Sequence, residues 1–316
     1  MSRLRLPPLP TVRDIIQMYG LKAEKQLSQN FLFDLNLTDK IVRQAGNLKG
    51  SYVCEVGPGP GGITRSILNA GAKHVIVIEK DSRFLPSLQL LSEASDGRVT
   101  IQLGDVLKYN MKKVFPNRLS KDWSDEPPNA HIIGNLPFSV STPLIIQWLA
   151  AVANRTSVFS HGRVQLTLTF QKEVAERLSA GVGDPQRSRL SIMAQYLCHV
   201  EHCFNIPGSA FVPKPDVDVG VVHFTPRIEP LIHCPFKLVE KVVRSVFHFR
   251  RKYCRRGIEI LFPYDHQDFV DEVLEVTGID PSTTPQWLTI DDFSRISEVY
   301  MSICERYPAI RTYDYR

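Results

Sequence analysis

Tyr52-Val53-Cys54-Glu55-Val56-Gly57-Pro58-Gly59-Pro60-Gly61-Gly62 decides how the rest of the chain is read. Its first five residues are mostly apolar and predict a short buried strand, Tyr52–Val56. The glycines that follow predict a sharp turn, because a backbone without side chains can bend tightly and come close to a ligand. Pro58 and Pro60 stiffen that turn, and a helix is expected from about Gly61 to Asn69. Gly57, Gly59 and Gly62 satisfy GxGxxG, which by itself also fits a nicotinamide or flavin enzyme.

Working outward, short apolar segments alternate with helical ones. Strands are expected at His74–Glu79, Val99–Leu103, His131–Gly134 and Val164–Phe170. Helices are expected near Ser82–Glu93, Pro143–Val152 and Lys172–Leu178. This alternation predicts an α/β domain with a parallel sheet covered on both faces. Before it, Thr11 and Asp14 form a helix start, and Leu37, Ile41, Val42 and Ala45 share one face of a helix from Leu35. Tyr196–Ile206 and Val217–Phe224 read as late strands at one edge. The stretch Asn110–Asn129 is polar and reads as a surface loop. Thr225 to Pro235 holds three prolines and reads as a linker. Beyond it Phe236–Leu261 and Asp291–Glu305 are helical. The expected division is therefore 1–226 and 227–316, an α/β domain followed by a small all-helical one.

Composition narrows the class. The chain has 316 residues, 43% of them hydrophobic, and a net charge of +5. No apolar run reaches the roughly 18 residues that suggest a membrane span. Positive charge gathers at Arg244, Arg250, Arg251, Lys252, Arg255 and Arg256, which suits a phosphate partner. The six cysteines show no CxxC pair, so free thiols in a reducing compartment are expected. Cys198-His199 and His202-Cys203 suggest zinc only weakly, because a strand would split them between two faces; no metal is expected. Arg3, Arg5 and Arg13 with no acid between them are compatible with an organellar targeting end.

Three further signals carry chemistry. Glu79 ends the second strand, where a carboxylate can accept both ribose hydroxyls of a nucleoside cofactor. Asp105 ends the third, where it can accept from an adenine amine; Glu55 suits a cationic sulfonium better than a pyrophosphate. Together these favour an adenine nucleoside cofactor with a cationic sulfonium over a dinucleotide. Asn135-Leu136-Pro137-Phe138 follows the fourth strand, at the sheet end where ligands bind. An adenine amine is a poor nucleophile because its lone pair is delocalised into the ring. Acceptors on its hydrogens, the Asn135 side-chain oxygen and the Leu136 carbonyl, would free that pair, while Phe138 stacks on the base. Phe211, held between prolines, is a candidate for the opposite face.

The chain resembles the KsgA-type ribosomal RNA adenine dimethyltransferases, relatives of the Erm resistance methylases. Gln29-Asn30-Phe31-Leu32, Glu55 to Gly62, Glu79, Gly104-Asp105, Asn135 to Phe138, Gln171 to Leu178 and Phe211 to Val217 carry the likeness in the family's order. The resemblance implies a Rossmann-like S-adenosylmethionine-dependent methyltransferase domain. Its cofactor site would hold Gln29, Asn30, Leu32, Glu55, Gly57, Gly59, Glu79, Lys80, Asp105, Val106 and Asn135. Asn135, Leu136, Pro137 and Phe138 would form the catalytic motif. Phe138 and Phe211 would meet the substrate base, and Arg250, Arg251 and Lys252, on a helix from Phe247, would meet RNA. Phe138 stands where most members have Tyr, which is similar to the animal mitochondrial branch, also described as transcription factor B type. That branch implies two neighbouring adenines of a small-subunit rRNA hairpin as target and the mitochondrial matrix as location. It implies the assembling small ribosomal subunit and the transcription machinery as partners, and a monomer. The other reading is a nucleic-acid-binding transcription or assembly factor with a vestigial methylase fold. Retention of Glu79, Asp105 and Asn135 favours the enzyme.

Overall fold

A computed structural model describes residues 6–21 and 29–315. They form two compact units: the chain up to Ala175 with Val200–Ile228, and Glu176–His199 with the chain from Glu229 onward. The sequence reading places one boundary, after 226; the chain instead passes between the units three times. Residues 176–199 join the second unit through bonds that no local pattern announces. Arg187, 1% exposed, donates to the carbonyls of Ala180 and Leu288 at 3.0 and 3.1 Å, and Gly183 N donates to Gln286 O at 2.9 Å.

The first unit is built on a seven-stranded sheet. Its strands are β2 (Tyr52–Val56), β3 (His74–Glu79), β4 (Val99–Leu103), β5 (Ala130–Gly134), β6 (Gln165–Gln171), β7 (Cys198–Ile206) and β9 (Val219–Pro226). A separate antiparallel pair joins β1 (Phe31–Leu32) to β8 (Phe211–Val212). The order is β4-β3-β2-β5-β6-β9-β7. The first five strands run parallel, and β9 runs antiparallel to β6. Every residue of β2 is buried, as expected of a central strand covered on both faces.

The helices of this unit are α1 (Val12–Met18), α2 (Leu35–Gln44), α3 (Gly62–Asn69), α4 (Leu85–Ala94), α5 (Phe138–Ala153) and the first half of α6 (Lys172–Ser179). Thr11 and Asp14 close a reciprocal capping box at the start of α1, Asp14 N donating to Thr11 Oγ1 at 3.1 Å and Thr11 N to Asp14 Oδ2 at 2.9 Å. The helix expected from Pro143 begins five residues earlier, at Phe138, with Pro137 as its cap. Proline is favoured at a helix's first turn, but the start is not at Pro143. The Pro137 carbonyl instead takes the amides of Val140 and Ser141, and Pro143 sits inside the helix. The 110–129 stretch is more than a polar surface loop. Met111, Val114 and Phe115 are buried in it, and the Arg163 guanidinium donates to Trp123 O and Asp125 O at 3.0 and 2.6 Å.

Two register facts position the site. Val56 pairs with Ile78 on one side and with Gly134 on the other. The carboxyl ends of β2, β3 and β5 are therefore level. The chain leaves β2 toward β3 and β4 and later returns to β2's other side at β5, so the direction of winding reverses between β2 and β5. A crevice opens outside the strand ends at such a reversal.

The second unit contains α7 (Arg189–Gln195), α8 (Phe236–Val246), α9 (Cys254–Glu259), α10 (Asp268–Thr277), α11 (Ile290–Arg306) and α12 (Pro308–Thr312). No strand occurs among the described residues from 229 onward. Phe293, Ile296, Tyr300 and Ile303 bury one stripe of α11. The helix expected over 236–261 is broken between α8 and α9. A Cβ on Gly257 would lie 2.5 Å from the Val246 Cα, so the two helices meet at backbone distance and the chain must turn between them. Arg250, Arg251 and Lys252 thus stand in a turn and not on a helix.

The tight contact of β5 with β2 yields a prediction. A Cβ on Gly134 would lie 2.9 Å from Val56 O and 3.2 Å from Leu136 Cδ2. Gly134→Ala is expected to lower stability by about 1–3 kcal/mol through overpacking, read as a lower denaturation midpoint with an unchanged slope. An unchanged midpoint would mean that the strands separate freely at this end.

Candidate active site

The crevice is lined by every residue that the sequence reading assigned to the cofactor or the catalytic motif, and by Phe211. Its floor is the glycine turn. Gly57, Gly59 and Gly61 all have positive φ, at 68°, 53° and 90°. The third left-handed position is therefore Gly61 and not Gly62. Gly62 answers a different need: a Cβ there would stand 3.2 Å from Leu32 O, where the N-terminal segment crosses the turn.

Glu79, 6% exposed, braces that floor. Its Oε2 accepts from Gly59 N at 3.0 Å and its Oε1 from Asp81 N at 2.8 Å. Burial raises its pKa above the ordinary carboxylate value. A carboxylate accepts at more positions than its backbone donors Gly59, Asp81 and Lys80 take up, which leaves room for a ligand hydroxyl. Asp81 lines the same wall and was not singled out by the sequence reading. It accepts from Gln29 Nε2 at 2.9 Å and from Arg83 Nε at 2.9 Å. Bonding to Arg83 holds its carboxyl down at about 2. Its only sequence signal is its place two residues after Glu79. Asp105 accepts from Lys80 Nζ at 3.0 Å and from Leu107 N at 3.0 Å, and the Lys80 bond lowers its pKa.

Glu55 is 1% exposed and accepts from the Thr64 hydroxyl at 2.6 Å, which ties β2 to α3 beneath the turn. Burial pushes its carboxyl up to about 8. Near neutral pH it is mostly protonated.

Asn135 joins three segments. Its Nδ2 donates to Asn30 O at 3.2 Å, and its Oδ1 accepts from the Thr169 hydroxyl at 2.8 Å. Thr169 lies on β6, fully buried, and nothing in its local sequence marked it. Phe138 begins α5 and is half-buried on the crevice wall. Phe211 is 2% exposed and packs in the core cluster while also lining the crevice. The open face expected of it as a second base platform is taken up by packing, because the β1–β8 ladder sets it opposite Leu32.

Among the lining residues the acids are Glu55, which keeps its proton, and Glu79, Asp81 and Asp105, and the single cation is Lys80, already paired with Asp105. A pyrophosphate would meet mainly acceptors here. A ligand with ribose hydroxyls, an adenine and a positive sulfur fits this set of acceptors, and the apolar walls from Phe31, Ile78, Phe84 and Val106 suit a flat base.

The basic cluster lies in the second unit, and its ion pairs sort it. Arg244 pairs with Asp314, Arg255 with Asp271 and Glu259, and Arg256 with Glu259. Arg250, Arg251 and Lys252 enter no ion pair among the described residues. Arg251 and Lys252 line a shallow depression with Phe249 and Tyr253, residues that are 39% and 59% exposed. No three His, Cys, Asp or Glu side chains are placed to hold a metal among the described residues. No helix among them is long and apolar enough to cross a membrane.

With this geometry in view, the comparisons with known proteins are specific. Residues 20–300 match the family model described as ribosomal RNA adenine dimethylase. The chain is 61% identical to "Dimethyladenosine transferase 1, mitochondrial" of Xenopus tropicalis, and 60% identical to the Homo sapiens protein of that name. Each alignment covers 100% of this chain and 92% of the relative. Among solved structures, a dimethyladenosine transferase from Plasmodium falciparum superposes with a TM-score of 0.66 at 25% identity, covering 84% of this chain and 95% of the other.

Burial of Glu55 predicts a pH dependence. Its carboxyl sits at about 8 in the folded chain and near 4.3 in an unfolded one. Between those values the folded state keeps a proton that the unfolded state releases, so this group's contribution is full below the lower value and is lost as pH rises through about 8. Glu55→Gln removes the titration and keeps an acceptor for Thr64. Its melting temperature should gain on the wild type's progressively from pH 5 to pH 8. Parallel profiles would show that Glu55 titrates normally.

Proposed function

We propose a substrate and a division of labour for this chain, which belongs to the ribosomal RNA adenine dimethylase family. It is an S-adenosylmethionine-dependent rRNA adenine N6,N6-dimethyltransferase, and it acts in mitochondria. The target we propose is a pair of neighbouring adenines in a hairpin loop of small-subunit rRNA, met in the assembling mitochondrial small subunit. The observation that carries this is one crevice in which Asn135 and Phe138 face the glycine turn and Glu79. The vestigial reading is not favoured, since Glu79, Asp105 and Asn135 are all retained and all line that crevice.

S-adenosylmethionine, when bound, supplies a methyl group on a cationic sulfur. The glycine turn would let it lie against the backbone, Glu79 would accept from its ribose, and Asp105 would accept from its adenine. Asn30 and Leu32 would cover it from the N-terminal segment. On the substrate side Phe138 would stack on an unpaired adenine. The Asn135 amide oxygen and the Leu136 carbonyl would accept from the N6 hydrogens and free the nitrogen lone pair; once N6 has taken the methyl group and become cationic, it would release one of those protons to solvent. Phe138→Ala should weaken hairpin binding by about 1–3 kcal/mol, the value of one stacked base. The unpaired turn at Arg250, Arg251 and Lys252 would grip phosphates, which position an RNA without reading its sequence.

The test is incubation with methyl-labelled cofactor and a short small-subunit rRNA hairpin, followed by nucleoside analysis. Dimethyladenosine is expected from the wild type. Asn135→Ala should lose most of the product and keep its affinity for S-adenosylhomocysteine. No dimethyladenosine from any small-subunit hairpin, free or in partly assembled subunits, would overturn the proposed target.

A second measurement addresses the basic turn. Replacing Arg250 and Arg251 by Glu should weaken hairpin binding and flatten its salt dependence, by a slope of roughly 0.7–0.9 per lost phosphate contact. S-adenosylhomocysteine affinity should not change, since that crevice is built from the other unit. Equal affinity and slope would place the RNA path elsewhere.

A further inference from the structure

We infer that Thr169 is a positioning residue for methyl transfer, acting by holding the Asn135 amide with its oxygen as the acceptor. The inference rests on the reading of Asn135 as an acceptor for the substrate amine.

An asparagine amide has two ends of similar shape and opposite polarity. Only the oxygen can accept from an N6 hydrogen; the NH2 end would set donor against donor. The torsion that exchanges the ends is soft, because rotation about an sp³–sp² bond has broad minima. The site therefore needs partners that tell the ends apart. The Asn30 carbonyl can only accept, so the amide nitrogen must lie on its side, at 3.2 Å. The hydroxyl of Thr169, 2.8 Å from Oδ1, must then be the donor. One lone pair of Oδ1 takes the Thr169 proton and the second is left for a ligand. Each partner alone fixes one end; together they stop the amide from turning over.

The fold explains why Thr169 can do this. In the parallel pairing of β5 with β6, Gly134 is opposite Leu168, so Asn135 and Thr169 are the next residues along each strand. Thr169 is fully buried between Leu168 and Phe170, both also fully buried. A hydroxyl in such a place is costly unless it is bonded, and valine would fill the same volume. Thr169 does not line the crevice, so a substrate cannot touch it and any effect must pass through Asn135.

The experiment compares Thr169→Val, Thr169→Ser, Asn135→Ala and the double variant Asn135→Ala/Thr169→Val. It uses single-turnover methylation of the hairpin, the hairpin KM, S-adenosylhomocysteine affinity and melting temperature. Thr169→Val should lower the rate constant by about tenfold, the rate equivalent of one buried hydrogen bond, with KM and S-adenosylhomocysteine affinity unchanged. Thr169→Ser should recover the rate. In the Asn135→Ala background the valine change should cost nothing more, since the group it positions is gone. A wild-type rate for Thr169→Val beside a disabled Asn135→Ala would overturn this inference and leave the Asn135 reading standing. Full activity of Asn135→Ala would overturn the Asn135 reading itself. If Thr169→Val also lowers the melting temperature, the double variant decides: a further loss of rate there would show that Thr169 acts through the fold and not through the amide.

Discussion

The Glu79 carboxylate accepting from the amides of Gly59 and Asp81 is the contact on which the rest of this site depends. It joins the glycine turn after β2 to the loop after β3 and fixes the facing sides of the crevice at once. From there the constraint spreads. Asp81, held by its backbone amide, presents its carboxylate to Gln29 and Arg83 and so ties the N-terminal segment to the same edge. That segment passes over Gly62 at a distance that only a glycine comfortably allows, and its Asn30 carbonyl reaches Asn135. A buried carboxylate is expensive unless it is well bonded, which is consistent with both of its oxygens having backbone donors.

Beneath the turn a second carboxylate behaves differently. Glu55 is deeply buried and takes its hydrogen bonds from Thr64, hydroxyl and backbone, and its proton stays on near neutral pH. Two glutamates at the ends of adjacent parallel strands thus do different work. Glu79 meets backbone donors at the crevice edge, whereas Glu55 serves as a polar tie inside the core. Their sequence contexts are alike: an acid at or near the end of an apolar run.

The second unit shows the same dependence on partners. Six basic residues lie close in sequence, yet acids on α9, α10 and the C-terminal segment take up Arg244, Arg255 and Arg256. What is left is the turn between α8 and α9, and that turn exists because Gly257 brings two helix backbones together. Exposed ion pairs contribute little stability. Their consequence here is to decide which cations of this stretch remain outside an ion pair among the described residues.

The sequence by itself determined the parallel α/β domain, the glycine turn, Glu79 and the Asn135–Phe138 motif. Each of these is written in a local signal: a run of apolar residues, a glycine where the backbone must take positive φ, or a polar residue just past a strand end. The strands of the seven-stranded sheet fell within a residue or two of their expected places for that reason. Tertiary structure alone decided the rest. The passage of residues 176–199 into the second unit, the early start of α5, the split of the 236–261 helix, and the burial of Phe211 depend on residues far away in sequence. So does the pairing of Thr169 with Asn135, 34 positions apart and neighbours only because β5 and β6 lie parallel and in register. Local patterns report what a segment prefers to do. Which hydrogen bond a buried side chain finds, which charge is neutralised and how many protons a carboxylate keeps are set by what the fold places beside it.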